Sequence, residues 1–348
     1  MRLVIDGHRL TQTRTGVGRV LEMLLDEWGL SGMPFDRTVL VTQEPVEPGR
    51  FKGVEVISGG RSWPGAIWRN LVLRPLVRRD DLLFCPTNLL PSTLASRSVL
   101  FVFDTLLESF PESFPWHVRA RFGPRYRASS RRADRILVPS ESTARDVVRH
   151  QSVDPAKVRV VPLSYADCFR PDPPTPRNST FLVVGKRSKR RNLPAILQGF
   201  AAHRLRFPES RLTMVGPGDV EAVPEGVVVL GHVDDDRLAD LYRGATATLY
   251  LSDYEGFGLP ILEAQACGCP VVTLHNSALG ETAGEGAFFL DRADSASVEE
   301  AMNWLMSDSE LRSDLITRGL ANAARFSTAR MAREVRDILR EEAVAALA

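Results

Sequence analysis

The sequence predicts an α/β protein made of two parallel-sheet domains in tandem. Three observations carry that expectation. Short apolar runs alternate with amphipathic helical patterns, a proline-rich break divides the chain near its middle, and the alternation then starts again. At 348 residues, 44% hydrophobic and 25% charged, the chain has enough apolar surface for two cores of ordinary size.

In the first half, runs at 3–6, 37–42, 54–57, 82–85, 98–103, 135–139 and 158–162 read as strands, because they are short, rich in Val, Ile, Leu and Phe, and bounded by turn residues. A helix is expected over 16–28, where Val17, Val20, Leu21, Leu24 and Leu25 repeat at helical spacing, and another over 142–151, with Ser140 as its cap. Pro171, Pro173, Pro174 and Pro176 then bar both a helix and a central strand, so 166–177 reads as a linker. Beyond it, strands are expected at 181–184, 211–215, 227–230, 247–251 and 270–274, with helices at 192–207, 235–243, 259–266, 295–306, 309–325 and 328–347. A cleft between two such halves is the default place for a site.

Charge and cysteine usage narrow the function classes. Residues 1–165 hold 24 Lys plus Arg against 17 Asp plus Glu, a surplus of 7, and the remainder holds 20 against 26, which leaves the chain at +1. The basic half is densest at Arg119, Arg121, Arg125, Arg127, Arg131, Arg132 and Arg135, a solvated helix face or a contact for an anionic membrane surface or phosphorylated acceptor. It lacks the interleaved aromatics of a single-strand groove, so no nucleic-acid partner is expected. Cys85, Cys168, Cys267 and Cys269 are too few and too scattered for a disulfide framework, and Cys267 with Cys269 read as small buried residues rather than as metal ligands. No secretory leader or membrane-spanning run is visible, so the expectation is a soluble cytoplasmic protein, peripheral at most to the inner membrane face.

The chemistry concentrates in YEGFGLPILEAQACGCPVV, 254–272. Gly256 and Gly258 follow a strand, Pro260 suits the first turn of a helix and Gly268 its end. Such a loop presents backbone N–H groups at a helix N-terminus, where a phosphate or a sugar hydroxyl is favoured. Glu255 stands before that helix and Glu263 within it.

This segment resembles the signature of the retaining family 4 glycosyltransferases. The resemblance implies the GT-B fold, two Rossmann-like domains facing each other across a cleft, with 1–165 binding the acceptor, 178–329 binding a nucleotide-sugar donor, and a last helix, about 330–348, packing back on the first domain. It implies that Glu255 lies against the donor sugar near the reacting carbon, that Glu263 binds ribose hydroxyls, and that Gly256, Phe257, Gly258 and Leu259 line the donor. FLVVGKRSKRRN, 181–192, resembles the strand and loop that grip the diphosphate. There the family's usual Arg and Lys correspond to Lys186 and Arg191, interchanged, with Arg190 a rival for the second and Gly185 at the turn. LTMVGPG and LGHV resemble the next two strand ends, with Gly216 a close-approach position and Val233 a base contact. NSALGE, 276–281, resembles a loop near the diphosphate. TGVGR, 15–19, resembles the glycine loop of the first domain, which brings Gly16 and Gly18 to the donor phosphate. In VFDTLLESFP the family's cleft His is replaced by Phe103, while Asp104 remains to orient hydroxyls.

The activity so implied is metal-independent, retaining transfer of a sugar, GDP-mannose first and UDP- or dTDP-sugars next, to a hydroxyl of a glycan, a lipid-linked or a small-molecule acceptor, with no cofactor besides the donor. Lys186, Arg191 and the loop amides would stabilise the departing diphosphate. No D-x-D pair stands out, and the Asp253/Glu255 spacing is incidental. A non-catalytic sugar-nucleotide-binding partner subunit and a sugar-nucleotide epimerase on the same fold are the alternatives.

Overall fold

The computed structural model describes residues 1–10, 16–172, 178–216, 218 and 223–345. Thr15 of the TGVGR loop, Pro217, linker residues 173–177 and the last residues of the expected C-terminal helix lie outside them. The chain divides into two compact units, Met1–Ser164 with Ser327–Ala348, and Tyr165–Phe326.

The first unit contains a seven-stranded sheet, every pairing parallel: β1 (Arg2–Asp6), β2 (Arg37–Thr42), β3 (Val54–Ser58), β4 (Leu82–Cys85), β5 (Arg97–Phe101), β6 (Arg135–Val138) and β7 (Val158–Val160), in the order β3-β2-β1-β4-β5-β6-β7. The second contains a six-stranded parallel sheet: β8 (Thr180–Val184), β9 (Arg211–Val215), β10 (Val227–Leu230), β11 (Ala247–Tyr250), β12 (Val271–Leu274) and β13 (Ala287–Leu290), in the order β10-β9-β8-β11-β12-β13. Central strands such as LLFC in β4 and VVTL in β12 are buried along their whole length, which is why they read as unbroken apolar runs rather than alternating ones. In each sheet the order reverses once, between β1 and β4 and between β8 and β11. A doubly wound sheet opens a crevice beyond the carboxyl ends of its strands at that point.

Helices follow from capping and spacing. The Gly16–Ser31 helix buries Val20, Leu21, Leu24, Leu25 and Trp28 along one stripe. Ser140 caps the Glu141–Gln151 helix by accepting from the Thr143 N–H at 3.0 Å, and Asp234, Asp294 and Asp308 cap the Asp235–Gly244, Ser295–Ser307 and Ser309–Ala323 helices in the same way. The Thr328–Ala345 helix joins the first unit. It buries Met331, Val335 and Leu339, and its Ala332 carbonyl accepts from the Trp28 indole N–H at 2.8 Å.

Several features differ from the expectation, among them a helical stretch over 65–76 where none was expected. A 17-residue helix, Trp116–Arg132, carries most of the arginine stretch that reads as a solvated helix face; its bounds were not foreseen, because Gly123 and Pro124 argue against a continuous helix. Strand β13 is only four residues long and was not foreseen. The segment expected as a linker is in part core: Phe169 is 1% exposed, its ring lies 6.0 Å from Tyr242, and Arg243 holds the carbonyls of Cys168 and Arg170. Apolar burial of that one aromatic outweighs the proline content up to Asp172, so the second unit begins at Tyr165.

Candidate active site

In the second unit the crevice position falls between the ends of β8 and β11. After β8 the chain turns at Gly185 with φ +116°, where a Cβ would overlap the Arg191 guanidinium, so glycine is required by close approach as well as by backbone sign. The short helical turn Lys189–Arg191 then brings Arg190 and Arg191 back over the strand ends. After β11, Leu251 to Phe257 lead to Gly258, φ +106°, which starts the Leu259–Ala266 helix with no side-chain cap. Asn192 ties the two loops, donating to Asp253 Oδ1 at 2.7 Å, and the Asp253 N–H donates to the Arg190 carbonyl at 2.8 Å.

Glu255 is the focus of this arrangement. Its Oε2 accepts from Arg190 Nη2 at 3.2 Å, and its Oε1 accepts from Arg191 Nη2 at 3.3 Å and from the Tyr250 hydroxyl at 2.8 Å. Arg191 also donates to the Val184 carbonyl at 2.9 Å and to the Tyr250 oxygen at 3.2 Å. The side chains of Arg190, Arg191 and Glu255 are 12%, 20% and 13% exposed, so two guanidiniums share one carboxylate in a poorly hydrated place. Among the described residues one carboxylate thus answers two guanidiniums, and a poorly hydrated charge with an incomplete counterion is costly. The position is therefore primed for an anion. Burial disfavours the charged form of Arg191, but Tyr250 and Glu255 outweigh it and raise its pKa. Burial first, and the Glu255 charge second, push the Tyr250 hydroxyl well above the usual phenol range, so it remains a proton donor. The Glu255 backbone is fixed in turn, its N–H donating to Ser277 Oγ at 3.1 Å.

The other sequence-derived residues fall as follows. Lys186 is exposed and makes no ion pair among the described residues. Glu263 is 2% exposed, and its Oε2 accepts from the Tyr242 hydroxyl at 3.4 Å. Gly256 is buried, Leu259 half-buried, and Phe257 points inward to Phe326, rings 5.9 Å apart, with its carbonyl accepting from Thr282 Oγ1. Gly216 has φ +70° with open space where a Cβ would be, and Val233 is half-buried against the core. Tyr250, Asn192 and Ser277 contribute directly to the cluster and were not singled out in the sequence. Tyr250 ends an apolar strand and reads as core, and only its hydroxyl gave a signal.

In the first unit, Gly16 and Gly18 open the Gly16–Ser31 helix, Gly16 exposed and Gly18 buried. At the β1/β4 position lies a cavity of about 330 Å³, lined among others by Arg9, Val17, Asn88, Phe103, Asp104 and Tyr126. Asp104 accepts from the Leu106 N–H at 3.0 Å, and its carbonyl holds Asn88 at 3.2 Å. Phe103 stacks on Phe101 at 4.4 Å. The cavity wall is braced by a buried ion pair, Arg69 Nε to Asp6 Oδ2 at 2.5 Å, with Arg69 also donating to Thr87. Burial first, then the nearby Arg69 charge, lower the pKa of His8 to about 4. Burial pushes the Cys267 thiol up to about 12, and among the described residues no cluster of His, Cys, Asp or Glu is grouped to hold a metal ion.

Comparison with known proteins agrees with this architecture. Residues 16–164 match the family Glycosyltransferase Family 4, and residues 169–321 match Glycosyl transferases group 1. The O-antigen chain mannosyltransferase B of Escherichia coli is 34% identical over 161 residues, 42% of this chain and 42% of that protein. A D-inositol 3-phosphate glycosyltransferase of Acidothermus cellulolyticus is 30% identical over 225 residues, 56% of this chain and 50% of that protein. The chain thus matches about half the length of these curated relatives. In fold, the Anabaena protein HepE, solved with UDP-glucose, superposes with a TM-score of 0.77 at 16% identity, covering 98% of this chain and 100% of that one. With both halves matched and the fold shared over nearly its whole length, the chain belongs to the group 1, family 4 glycosyltransferases of GT-B fold.

Proposed function

We propose that the chain is a retaining glycosyltransferase that moves a sugar, mannose from GDP-mannose first among the candidates, to a hydroxyl of a glycan, a lipid-linked or a small-molecule acceptor in the cytoplasm. The observation that carries this reading is the surplus positive charge of Arg190 and Arg191 around Glu255 at the carboxyl ends of β8 and β11. A leaving diphosphate gains negative charge as the glycosidic C–O bond breaks, and preorganised guanidiniums stabilise that charge without reorganising. Lys186 adds a mobile cation from the exposed rim. Glu255 favours the oxocarbenium-like carbon, the acceptor oxygen bonds to it on the face the diphosphate leaves, and the acceptor proton passes to a phosphate oxygen of the leaving group. Loop amides and cations serve here in place of a metal. Glu263 holds ribose hydroxyls in this scheme. Asp104 orients acceptor hydroxyls in the first-unit cavity.

Mannose is favoured because the Escherichia coli relative is named a mannosyltransferase, and the UDP-glucose bound to HepE keeps UDP-sugars as rivals. A cytoplasmic place fits four free cysteines, three of them buried. Phe103, stacked where the family carries His, favours one second reading, a non-catalytic sugar-nucleotide binder. A thermal-shift screen with GDP-mannose, UDP-glucose and dTDP-glucose separates the donors, since a ligand at about 100 times its dissociation constant adds about 2.7 kcal/mol. Turnover with retained anomeric configuration supports the enzyme. Stabilisation without transfer to any acceptor selects the binder, and no shift with any nucleotide removes both readings.

A further inference from the structure

Tyr250 ends β11, a strand with β8 on one side and β12 on the other. It pairs in register with Thr273, whose Oγ1 donates to the Tyr250 carbonyl at 2.8 Å. Tyr250 is 4% exposed, so its backbone and its ring are both held by the sheet core. From there the phenol oxygen makes two bonds into the site. Its O–H donates to Glu255 Oε1 at 2.8 Å, and a lone pair accepts from Arg191 Nη2 at 3.2 Å. Arg191 Cζ also stands over the ring, 5.1 Å from its centroid. Packing alone does not call for that hydroxyl. Phenylalanine would fill the same space at the end of the apolar strand ATLY and leave no buried polar group to satisfy.

The backbone of Glu255 is held from elsewhere. Its N–H donates to Ser277 Oγ at 3.1 Å, and its carbonyl accepts from the Ala278 N–H at 3.4 Å. Those bonds leave the direction of the carboxylate open, and among the described residues Arg190, Arg191 and Tyr250 set it. The three respond differently to an incoming diphosphate. Both guanidiniums are cations, and every bond they give to a phosphate oxygen loosens their hold on Glu255. The phenol is neutral, since burial and then the Glu255 charge hold its proton on, and it has no such pull toward the phosphates. Its support differs as well. Arg190 and Arg191 belong to a three-residue turn, whereas Tyr250 belongs to an interior strand.

We infer that Tyr250 is a positioning residue for the transfer step: its hydroxyl keeps the Glu255 carboxylate aimed while Arg190 and Arg191 turn to the diphosphate. The inference rests on the reading of Glu255 as the carboxylate beside the reacting sugar carbon, and it places the loss in the chemical step rather than in donor binding. Hydrolysis of GDP-mannose and of UDP-glucose by the full chain reads that step without an acceptor. In Tyr250→Phe, kcat is expected to fall roughly 10–100-fold, the scale of one hydrogen bond to a charged group. The dissociation constants of GDP and UDP, measured by calorimetry, stay within about threefold of the parent, the split expected when an interaction matters only in the transition state. Adding Tyr250→Phe to Glu255→Gln costs nothing further, because a residue that acts through the carboxylate then has nothing left to position. Melting midpoints matching the parent show that the variants are folded, and Tyr250→Met, also apolar and without the hydroxyl, replaces a Phe variant that is not. A folded Tyr250→Phe with full kcat, a loss shared equally by kcat and nucleotide binding, or a loss that adds in full to that of Glu255→Gln would each overturn the role. A Glu255→Gln chain that hydrolyses donor like the parent, or a parent that hydrolyses neither donor, instead removes the Glu255 reading, and this role with it.

Discussion

Glu255 satisfies two guanidiniums and a phenol at once, so removing its charge has two separable consequences. In Glu255→Gln the neutral amide keeps the shape, yet Arg190 and Arg191 lose their counterion at 12% and 20% side-chain exposure. The free nucleoside diphosphate, itself an anion, is expected to bind at least as tightly as before, while transfer falls by roughly 10²–10³-fold, the usual scale for one preorganised electrostatic partner. Titration calorimetry with GDP and UDP beside a product assay checks both, and unchanged transfer removes Glu255 from the chemistry. Gly185→Ala tests the approach of Arg191 from below. Backbone strain at φ +116° costs about 1–3 kcal/mol, and the new methyl displaces the guanidinium. Both a lower melting temperature and loss of the donor-induced shift are expected; a variant that melts lower but still responds fully to donor shows that Arg191 is dispensable. The acidic and basic residues of this cluster were legible because their spacing around glycines survives in one short stretch each. Tyr250 was not, because its role depends on β8 and β11 lying side by side, and nothing local in ATLY records that pairing.

Among the elements, those whose pattern is continuous were found within a residue or two, as for β2, β4 and the Leu259–Ala266 helix. Elements that carry a local contradiction were not delimited. Gly123 and Pro124 sit mid-helix in Trp116–Arg132, where Pro124 is exposed and the tertiary burial of Gly123, Ser129 and Ser130 overrides propensity. The first part of the expected linker packs as core for a similar reason, since prolines at 171 and beyond say nothing about Phe169 two residues earlier. The Thr328–Ala345 helix was legible as a helix, but the charge that anchors it was not. Glu342 is 1% exposed and accepts from Arg97 at 2.6 Å and Arg135 at 2.7 Å, across more than 200 residues of sequence. Glu342→Ala leaves both guanidiniums unanswered. The cost expected is about 2–3 kcal/mol, below that of a fully buried pair because the Arg97 side chain is 33% exposed. Urea unfolding of the full chain measures it, and a loss under about 0.5 kcal/mol shows that apolar packing alone holds the helix.

For the molecule as a whole, each unit carries a histidine that burial keeps neutral, and the two share one sign of pH dependence. His8 in the first unit is lowered to about 4 by burial and then by Arg69. His203 in the second is also lowered by burial, and is held by Asn303 at 2.7 Å and Ser210 at 3.0 Å. In the unfolded chain a histidine titrates near about 6.5, so below that pH the unfolded state takes up protons that the native state refuses. Stability is therefore full above about pH 6.5 and falls as the pH drops toward 4. Glu342, whose pKa is lowered by Arg97 and Arg135 against the opposing effect of burial, adds a further loss as the pH falls below the ordinary glutamate value of about 4.3. Melting curves of the full chain between neutral pH and pH 4 should move down steadily, and His8→Gln should flatten the upper part of that slope for the first unit. A saturating nucleotide bound at the Glu255 site should protect the second unit and leave the His8-dependent slope intact. A melting temperature that is level from pH 7 down to 5 would mean that both histidines charge freely in the native protein, and that the Asp6–Arg69 brace beside His8 yields to let one do so.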